Sequence, residues 1–172
     1  DVERSRGLGD VYKRQVSHHP PISAYYYVSP ENNILIYGDL RPKSRFLGNT
    51  AANIMGGTSR IVLLSRPEDG EYSISMPNMY ARGILFGKMV LELGDHSEMV
   101  NKNLQMSTDV EFKVKGYFTG SYNMIEGKIM RNGRQVGNMY GKWSGKMEYK
   151  DSHTGHTRLL FDAHNAQAVQ KQ

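Results

Sequence analysis

Two adjacent histidines followed by two adjacent prolines form the most distinctive chemical group in the sequence. His18 and His19 precede Pro20 and Pro21, and the apolar segment "ISAYYYV" follows directly. Histidine titrates near neutral pH and has two ring nitrogens, so a nearby phosphate monoester favours its protonated form. Proline fixes its own φ angle and pushes the preceding residue towards an extended backbone. The four residues therefore predict a stiff segment in which both histidines contact one phosphate.

Two other interpretations of the histidines remain open on the residues alone. His18 and His19 also fit an ordinary loop that precedes a strand. A barrel metalloenzyme would need further, spaced ligands, for which the sequence offers His153 and His156 in "HTGH", and His164. Adjacent histidines rarely share an ion, and "HTGH" is typical of a solvated hairpin loop. We therefore expect no bound metal.

The sequence lacks the usual groups of covalent catalysis and phosphoryl transfer. It has no cysteine, no G-x-S-x-G elbow, no P-loop and no G-x-G-x-x-G fingerprint. Ser17 beside His18 does not make a triad, because nucleophilic catalysis also needs an orienting acid. We therefore expect neither an enzyme nor a cofactor.

Composition favours one globular domain with anionic partners. The chain has 172 residues and a formal net charge of +5, which is compatible with acidic membrane surfaces and phosphorylated ligands. Basic residues alternate with aromatic ones in "KVKGYF" and "YGKW", but strands with one wet and one dry face produce the same spacing, so we do not predict nucleic-acid binding. No apolar run approaches the roughly 20 residues that span a bilayer, which favours a cytosolic protein.

Short β-type segments recur between turn signals from Ile22 onward and predict an antiparallel meander that closes like a barrel. Val110, Phe112 and Val114 alternate with Glu111, Lys113 and Lys115, as expected for a strand with one dry face. The Asn132–Gly133 pair predicts a type I′ hairpin turn. Thr50 to Ile54 fits a short helix or a strand equally well. Three consecutive tyrosines, residues 25–27, indicate either a strand covered on both sides or one that lines a ligand cavity.

The ends of the sequence differ from the middle. Residues 1–14 are polar and unpatterned, and we predict that they are a non-native or disordered leader. Residues 15–165 form the predicted domain, and residues 166–172 form a polar tail.

The string "QVSHHPPISA" resembles the signature of the oxysterol-binding-protein-related family of lipid transfer proteins, whose fingerprint reads Glu-Gln-Val-Ser-His-His-Pro-Pro. The resemblance continues through "KSRFLGN", "MPNMYARGILFGKMVLELGD", "VEFKVKGYF" and "GKWSG" to "RLLFDA", and so covers Gln15 to Asp162. The middle blocks are most similar to the phosphatidylserine-transferring branch, which fungal members typify.

The resemblance implies an incomplete antiparallel β-barrel around a lipid tunnel. It also implies that His18 and His19 contact the phosphate on the inositol ring of phosphatidylinositol 4-phosphate at the tunnel entrance. The implied function is exchange of this lipid for phosphatidylserine or a sterol between membranes, without a change in any covalent bond. The implied location is the cytoplasm, with transient contact to membranes where endoplasmic reticulum and plasma membrane meet.

The sequence departs from the family pattern at its ends. Arg14 stands where the family has Glu, the upstream lid and Asn-Pro-x-x-Gly-Glu segment are not recognisable, and neither is the downstream helical region with its Lys, Glu and Arg. We therefore expect a central fragment of the lipid-binding domain. A structural or protein-interaction β domain is the remaining alternative.

Overall fold

A computed structural model describes residues 10–116 and 120–165, most of which lie in strands. The strands are β1 (Asp10–His18), β2 (Pro21–Ser29), β3 (Ile34–Leu40), β4 (Lys43–Phe46), β5 (Thr50–Ile54), β6 (Ser59–Leu63), β7 (Glu71–Ile74), β8 (Asn78–Arg82), β9 (Val90–Asn101), β10 (Met106–Lys113), β11 (Met124–Arg131), β12 (Arg134–Lys142), β13 (Lys146–Asp151) and β14 (Thr157–Asp162). Two 3₁₀ turns, Pro67–Asp69 and Ala163–Asn165, are the helical elements of these ranges. No helix in the described part of the chain has the length and apolar character needed to cross a membrane.

The strands form one antiparallel sheet. Its main path runs β1-β2-β3-β6-β7-β9-β10-β11-β12-β13-β14, and a branch of β4, β5 and β8 joins it at β9. The predicted antiparallel β fold is therefore confirmed. Within residues 10–116 and 120–165 no strand pairing joins β1 to β14, so the sheet is an open, incomplete barrel.

The long strand β9 joins the branch to the main path. Residues 90–94 of β9 pair with β8, and residues 95–101 pair with β10. Residues 99 and 100 also pair with β7. Asp95, between the two halves, has a positive φ of 66°. The preceding Gly94 lies where a Cβ atom would come within 2.8 Å of Val114 and 2.9 Å of the Tyr80 ring, so a larger residue would have to displace these two side chains at the bend.

The predicted alternation of apolar and charged side chains is confirmed within β10. Val110 and Phe112 are half-buried, whereas Glu111 and Lys113 are exposed. The strand ends at Lys113, so the last part of the predicted pattern lies in the connection that follows.

The sheet buries little apolar surface. Among the described residues, the apolar side chains that are fully buried are Ala52 and Ile125. Monomeric proteins rarely expose large contiguous apolar patches, yet many large apolar side chains are exposed here: Tyr12, Val16, Tyr26, Phe46, Leu47, Leu64, Leu85, Phe86, Met89, Leu91, Tyr122, Leu159, Leu160 and Phe161. The fold therefore presents uncovered apolar surface.

Two local predictions can be compared directly with the backbone. Asn132 and Gly133 have φ angles of 50° and 72° and connect β11 to β12, which confirms the predicted hairpin with positive φ at both turn positions. Thr50–Ile54 is strand β5, paired with β4 and β8, so the helical alternative is wrong.

The tyrosine run lies in β2. Tyr25 reaches across β3 at Gly38, where a Cβ atom would come within 2.9 Å of its hydroxyl, and hydrogen-bonds Ser59 on β6. Tyr25 and Tyr27 are half-buried, whereas Tyr26 on the opposite face is exposed. The idea that this strand is covered on both sides is therefore wrong for the described residues, and the ligand-cavity alternative stays a prediction.

The first strand begins earlier than the predicted domain. Residues 10–14 pair with β2 from Asp10–Val28 to Arg14–Ala24, so the expectation of disorder does not hold for this part of the leader. That the leader is non-native stays a prediction. Residues 1–9 and the predicted tail, 166–172, lie outside the described residues.

Candidate functional site

The hairpin of β1 and β2 carries the histidine pair at its turn. His18 is the last residue of β1 and pairs with Pro21, the first residue of β2, so His19 and Pro20 form the two-residue connection. The His19–Pro20 peptide bond is cis. Both prolines lie where a missing backbone N–H is tolerated, one in the turn and one at the first position of a strand. His18 therefore closes the β1–β2 ladder, and His19 lies in the turn itself.

A β-bulge precedes the pair. Gln15 pairs with Ser23 and Ser17 pairs with Ile22, which leaves Val16 without a partner in the ladder. A bulge adds one residue on one strand and changes the direction of the side chains that follow. The bulge thus contributes to how His18 is aimed at the end of the hairpin.

The two imidazole rings lie against each other and are open to solvent. Their centroids are 4.3 Å apart and the ring planes meet at 64°, and both side chains are exposed. The Gln15 side-chain amide donates to His18 Nδ1 over 3.0 Å. This bond leaves the Nε2 side of His18 available to donate to a ligand.

The charge around the turn favours an anion. Residues 11–29 of the hairpin include Lys13 and Arg14 and contain no acidic residue, and Asp10, the first residue of β1, is at the end of the hairpin away from the turn. Positive side chains without a competing carboxylate increase the local concentration of anionic ligands.

The other histidines lie in other elements. His153 and His156 are in the β13–β14 turn, where Asp151 Oδ1 accepts hydrogen bonds from the backbone N–H groups of His153 at 2.9 Å and Thr154 at 2.7 Å. These bonds lower the pKa of Asp151. His164 follows β14. Within the described ranges no group of three His, Asp or Glu side chains is arranged to hold a metal ion.

A buried ion pair at the junction of β8, β9 and β10 was not predicted from the sequence. Glu92 is 3% exposed, and its Oε2 lies 3.2 Å from Arg82 Nε. The backbone of Lys115 donates to Glu92 Oε1 at 2.9 Å and accepts from Arg82 Nη1 at 3.1 Å. The sequence "VLELG" gave no signal for it, because the apolar Leu91 is exposed while the neighbouring glutamate is buried, the reverse of the usual strand pattern.

Comparison with solved structures identifies the class of fold. The Osh1 ORD domain in complex with ergosterol superposes with a TM-score of 0.79 at 22% identity, over 94% of this chain and 43% of that chain. The Osh3 ORD of Saccharomyces cerevisiae in complex with PI(4)P gives a TM-score of 0.69 at 17% identity, over 87% of this chain and 39% of that chain. The protein therefore has the fold of an ORD barrel.

Sequence comparison then identifies the family. A model of the family described as oxysterol-binding protein matches residues 4–172. Oxysterol-binding protein homolog C23B6.01c of Schizosaccharomyces pombe is 47% identical over 164 residues, which cover 94% of this chain and 34% of that protein. Oxysterol-binding protein homolog 7 of Saccharomyces cerevisiae is 45% identical over 159 residues, 87% of this chain and 36% of that protein. The chain belongs to the oxysterol-binding protein family and spans about a third of the length of these relatives.

Proposed function

We propose that this protein binds phosphatidylinositol 4-phosphate through His18 and His19 and carries lipid between membranes. The observation that carries the proposal is the β1–β2 turn, which presents two exposed imidazoles side by side at the end of a hairpin whose residues 11–29 include no acidic residue. Two adjacent donors aimed at one anion make charge-assisted hydrogen bonds, which are stronger than neutral ones. The PI(4)P complex of the structurally similar Osh3 ORD supports the choice of this lipid.

The second lipid in the proposed exchange is phosphatidylserine, with a sterol as the other candidate. The resemblance of the middle blocks to the phosphatidylserine-transferring branch supports the first, and the ergosterol complex of the similar Osh1 ORD supports the second. Uncovered apolar side chains along the sheet supply the surface that an acyl chain or a sterol ring system needs. In this proposal the protein is a carrier and not an enzyme.

The place of action proposed for this carrier is the cytoplasmic side of membranes, where endoplasmic reticulum and plasma membrane approach each other. The family resemblance of the "QVSHHPP" hairpin supports this location. The chain spans about a third of its relatives' length, and we propose that it is the central part of a longer lipid-binding domain.

Extraction of a labelled phosphoinositide from vesicles tests the role of the histidine pair. The double substitution His18→Ala/His19→Ala should reduce the amount of phosphatidylinositol 4-phosphate extracted by at least about tenfold, because two charge-assisted hydrogen bonds are lost. Both side chains are exposed, so the circular dichroism spectrum should not change.

A matched control removes two histidines elsewhere. His153→Ala/His156→Ala takes two exposed side chains from the β13–β14 turn and should leave extraction unchanged. Undiminished extraction by the His18/His19 variant, an equal loss in both variants, or no extraction by the unaltered protein would contradict the proposal. Adding phosphatidylserine or a sterol as competitor in the same assay identifies the second lipid.

A further inference from the structure

Two neighbouring turns carry large apolar side chains that point into solvent. The first turn connects β4 to β5 and includes residues 46–49; the second connects β8 to β9 and includes residues 84–89. We call them together the apolar loop pair. Phe46 is 79% exposed and Phe86 is 78% exposed, and the exposed set also includes Leu47, Leu85 and Met89.

Asn49 holds the two turns together. Its Oδ1 atom accepts hydrogen bonds from the backbone N–H groups of Leu85 at 2.8 Å and Phe86 at 3.0 Å, and its Nδ2 atom donates to the carbonyl of Phe86 at 2.8 Å. The backbone carbonyl of Asn49 accepts from Gly83 N at 2.9 Å. The same carbonyl also accepts from Ile84 N at 3.4 Å. These five hydrogen bonds fix the second turn against the first, so the apolar side chains of the two turns are held next to each other.

The charge next to the apolar loop pair is entirely positive. Lys43 and Arg45 precede the first turn, Lys88 lies in the second, and all three are exposed. Residues 43–54 and 79–91 contain no acidic residue. The next carboxylate, Glu92, is buried and paired with Arg82. The surface thus combines an apolar tip with a cationic surround.

The apolar loop pair lies at the same end of the strands as the histidine turn. Ser23 next to that turn pairs with Leu40 at the end of β3. The antiparallel ladder of β3 and β6 continues through backbone bonds of Asp39 and Arg41 into β4 and β5, which end at the first turn. β8 pairs with β5 and runs in the opposite direction to it, so the second turn is at this end too.

From these observations we propose that the apolar loop pair inserts into the interface of a bilayer that contains anionic lipids. Apolar side chains on a protruding turn bury themselves at the boundary of headgroups and acyl chains, and each nearby Lys or Arg adds attraction to anionic headgroups. This inference rests on the proposed carrier function, because it describes how the same end of the protein meets a membrane. A bilayer fits better than a rigid partner because the apolar side chains protrude from turns.

Vesicle sedimentation tests the insertion without a phosphoinositide. Vesicles of phosphatidylcholine with phosphatidylserine are mixed with unaltered protein and with Phe86→Asp, in which a carboxylate replaces the exposed ring. The substitution should weaken vesicle binding at least about tenfold, because it removes apolar burial and repels anionic lipid. Leu64→Asp is the matched control, because Leu64 is also exposed but follows β6 at the other end of the strands, and it should change vesicle binding less than about twofold.

A separate substitution tests the electrostatic attraction between the apolar loop pair and anionic lipids. Lys88→Gln should weaken binding to phosphatidylserine-containing vesicles by about fivefold and leave binding to pure phosphatidylcholine unchanged. Raising the salt concentration should remove this difference, because the exposed charge is screened.

Binding of a short-chain, water-soluble phosphatidylinositol 4-phosphate separates this inference from the proposed function. Phe86→Asp should bind the soluble lipid like the unaltered protein, whereas the His18/His19 variant should lose it and still bind vesicles. Equal vesicle binding by Phe86→Asp and unaltered protein, no vesicle binding by either, or loss of soluble-lipid binding in Phe86→Asp would overturn the insertion. Self-association that depends on Phe86, without vesicle binding, would instead assign the surface to a second copy of the chain.

Discussion

At the scale of single residues, the hydrogen bond from Gln15 to His18 is the contact that shapes the histidine pair. The Gln15 amide donates to Nδ1 and so leaves Nε2 of the same ring as the donor for another partner. The motif alone predicted a stiff segment, because proline restricts the backbone locally. It did not predict this bond, which depends on the bulge at Val16.

A second histidine contact gives a prediction about titration. His96 Nδ1 lies 2.8 Å from Asp109 Oδ1 across β9 and β10, and the hydrogen bond that the imidazole donates to this carboxylate raises the pKa of His96. Asp109→Asn should therefore lower the pKa of His96 towards its ordinary value of 6.5. An NMR titration of the imidazole Cε1 proton measures it.

The same pair has a small effect on stability with a defined sign. A histidine pKa that is higher in the folded state adds stability below the unfolded pKa, and this contribution is lost as the pH rises through the folded pKa. The advantage of the unaltered protein over Asp109→Asn should therefore disappear at alkaline pH. Glu68→Gln, which removes an exposed carboxylate elsewhere, should not move the His96 titration. An unchanged pKa in Asp109→Asn would contradict the assignment.

At the scale of elements, the junction of β8, β9 and β10 depends on one ion pair. Glu92 is almost completely buried, and Arg82 is the cation beside it. Arg82→Met should lower the free energy of unfolding by about 2–4 kcal/mol, because a buried carboxylate loses its partner. Urea unfolding followed by circular dichroism measures the difference.

An exposed pair on the next strands provides the control for this substitution. Lys113 and Glu126 pair across β10 and β11 with both side chains largely exposed. Lys113→Met should cost less than about 1 kcal/mol, because surface ion pairs contribute little. Similar losses in Arg82→Met and Lys113→Met would mean that the junction does not depend on the buried pair.

The elements that were predictable are those decided by local chemistry. Asn132 and Gly133 tolerate positive φ, so their turn followed from the two residues themselves. Thr50–Ile54 stayed ambiguous because its pairing with β4 and β8 decides its conformation. Glu92 was missed because a charged residue is buried and its apolar neighbour exposed, the opposite of the usual strand pattern.

At the scale of the whole molecule, many large apolar side chains of the sheet are exposed and few are buried. The antiparallel fold was predictable from the sequence, because strand periodicity lies in short segments. The hairpin that carries the histidines was not, because its first strand begins within residues that were expected to be a leader. The apolar loop pair was not predictable from the sequence either, because Asn49 contacts Leu85 and Phe86, which follow it by 36 and 37 positions in the chain.

The central claim is that the paired imidazoles recognise the phosphate on the inositol ring. Titration calorimetry with short-chain phosphatidylinositol 4-phosphate and with short-chain phosphatidylinositol, which lacks that phosphate, tests it most directly. We predict that the unaltered protein prefers the phosphorylated lipid by at least about tenfold, and that His18→Ala/His19→Ala removes the preference. Equal affinity of the unaltered protein for both lipids, or a preference that persists without the two histidines, would contradict the account.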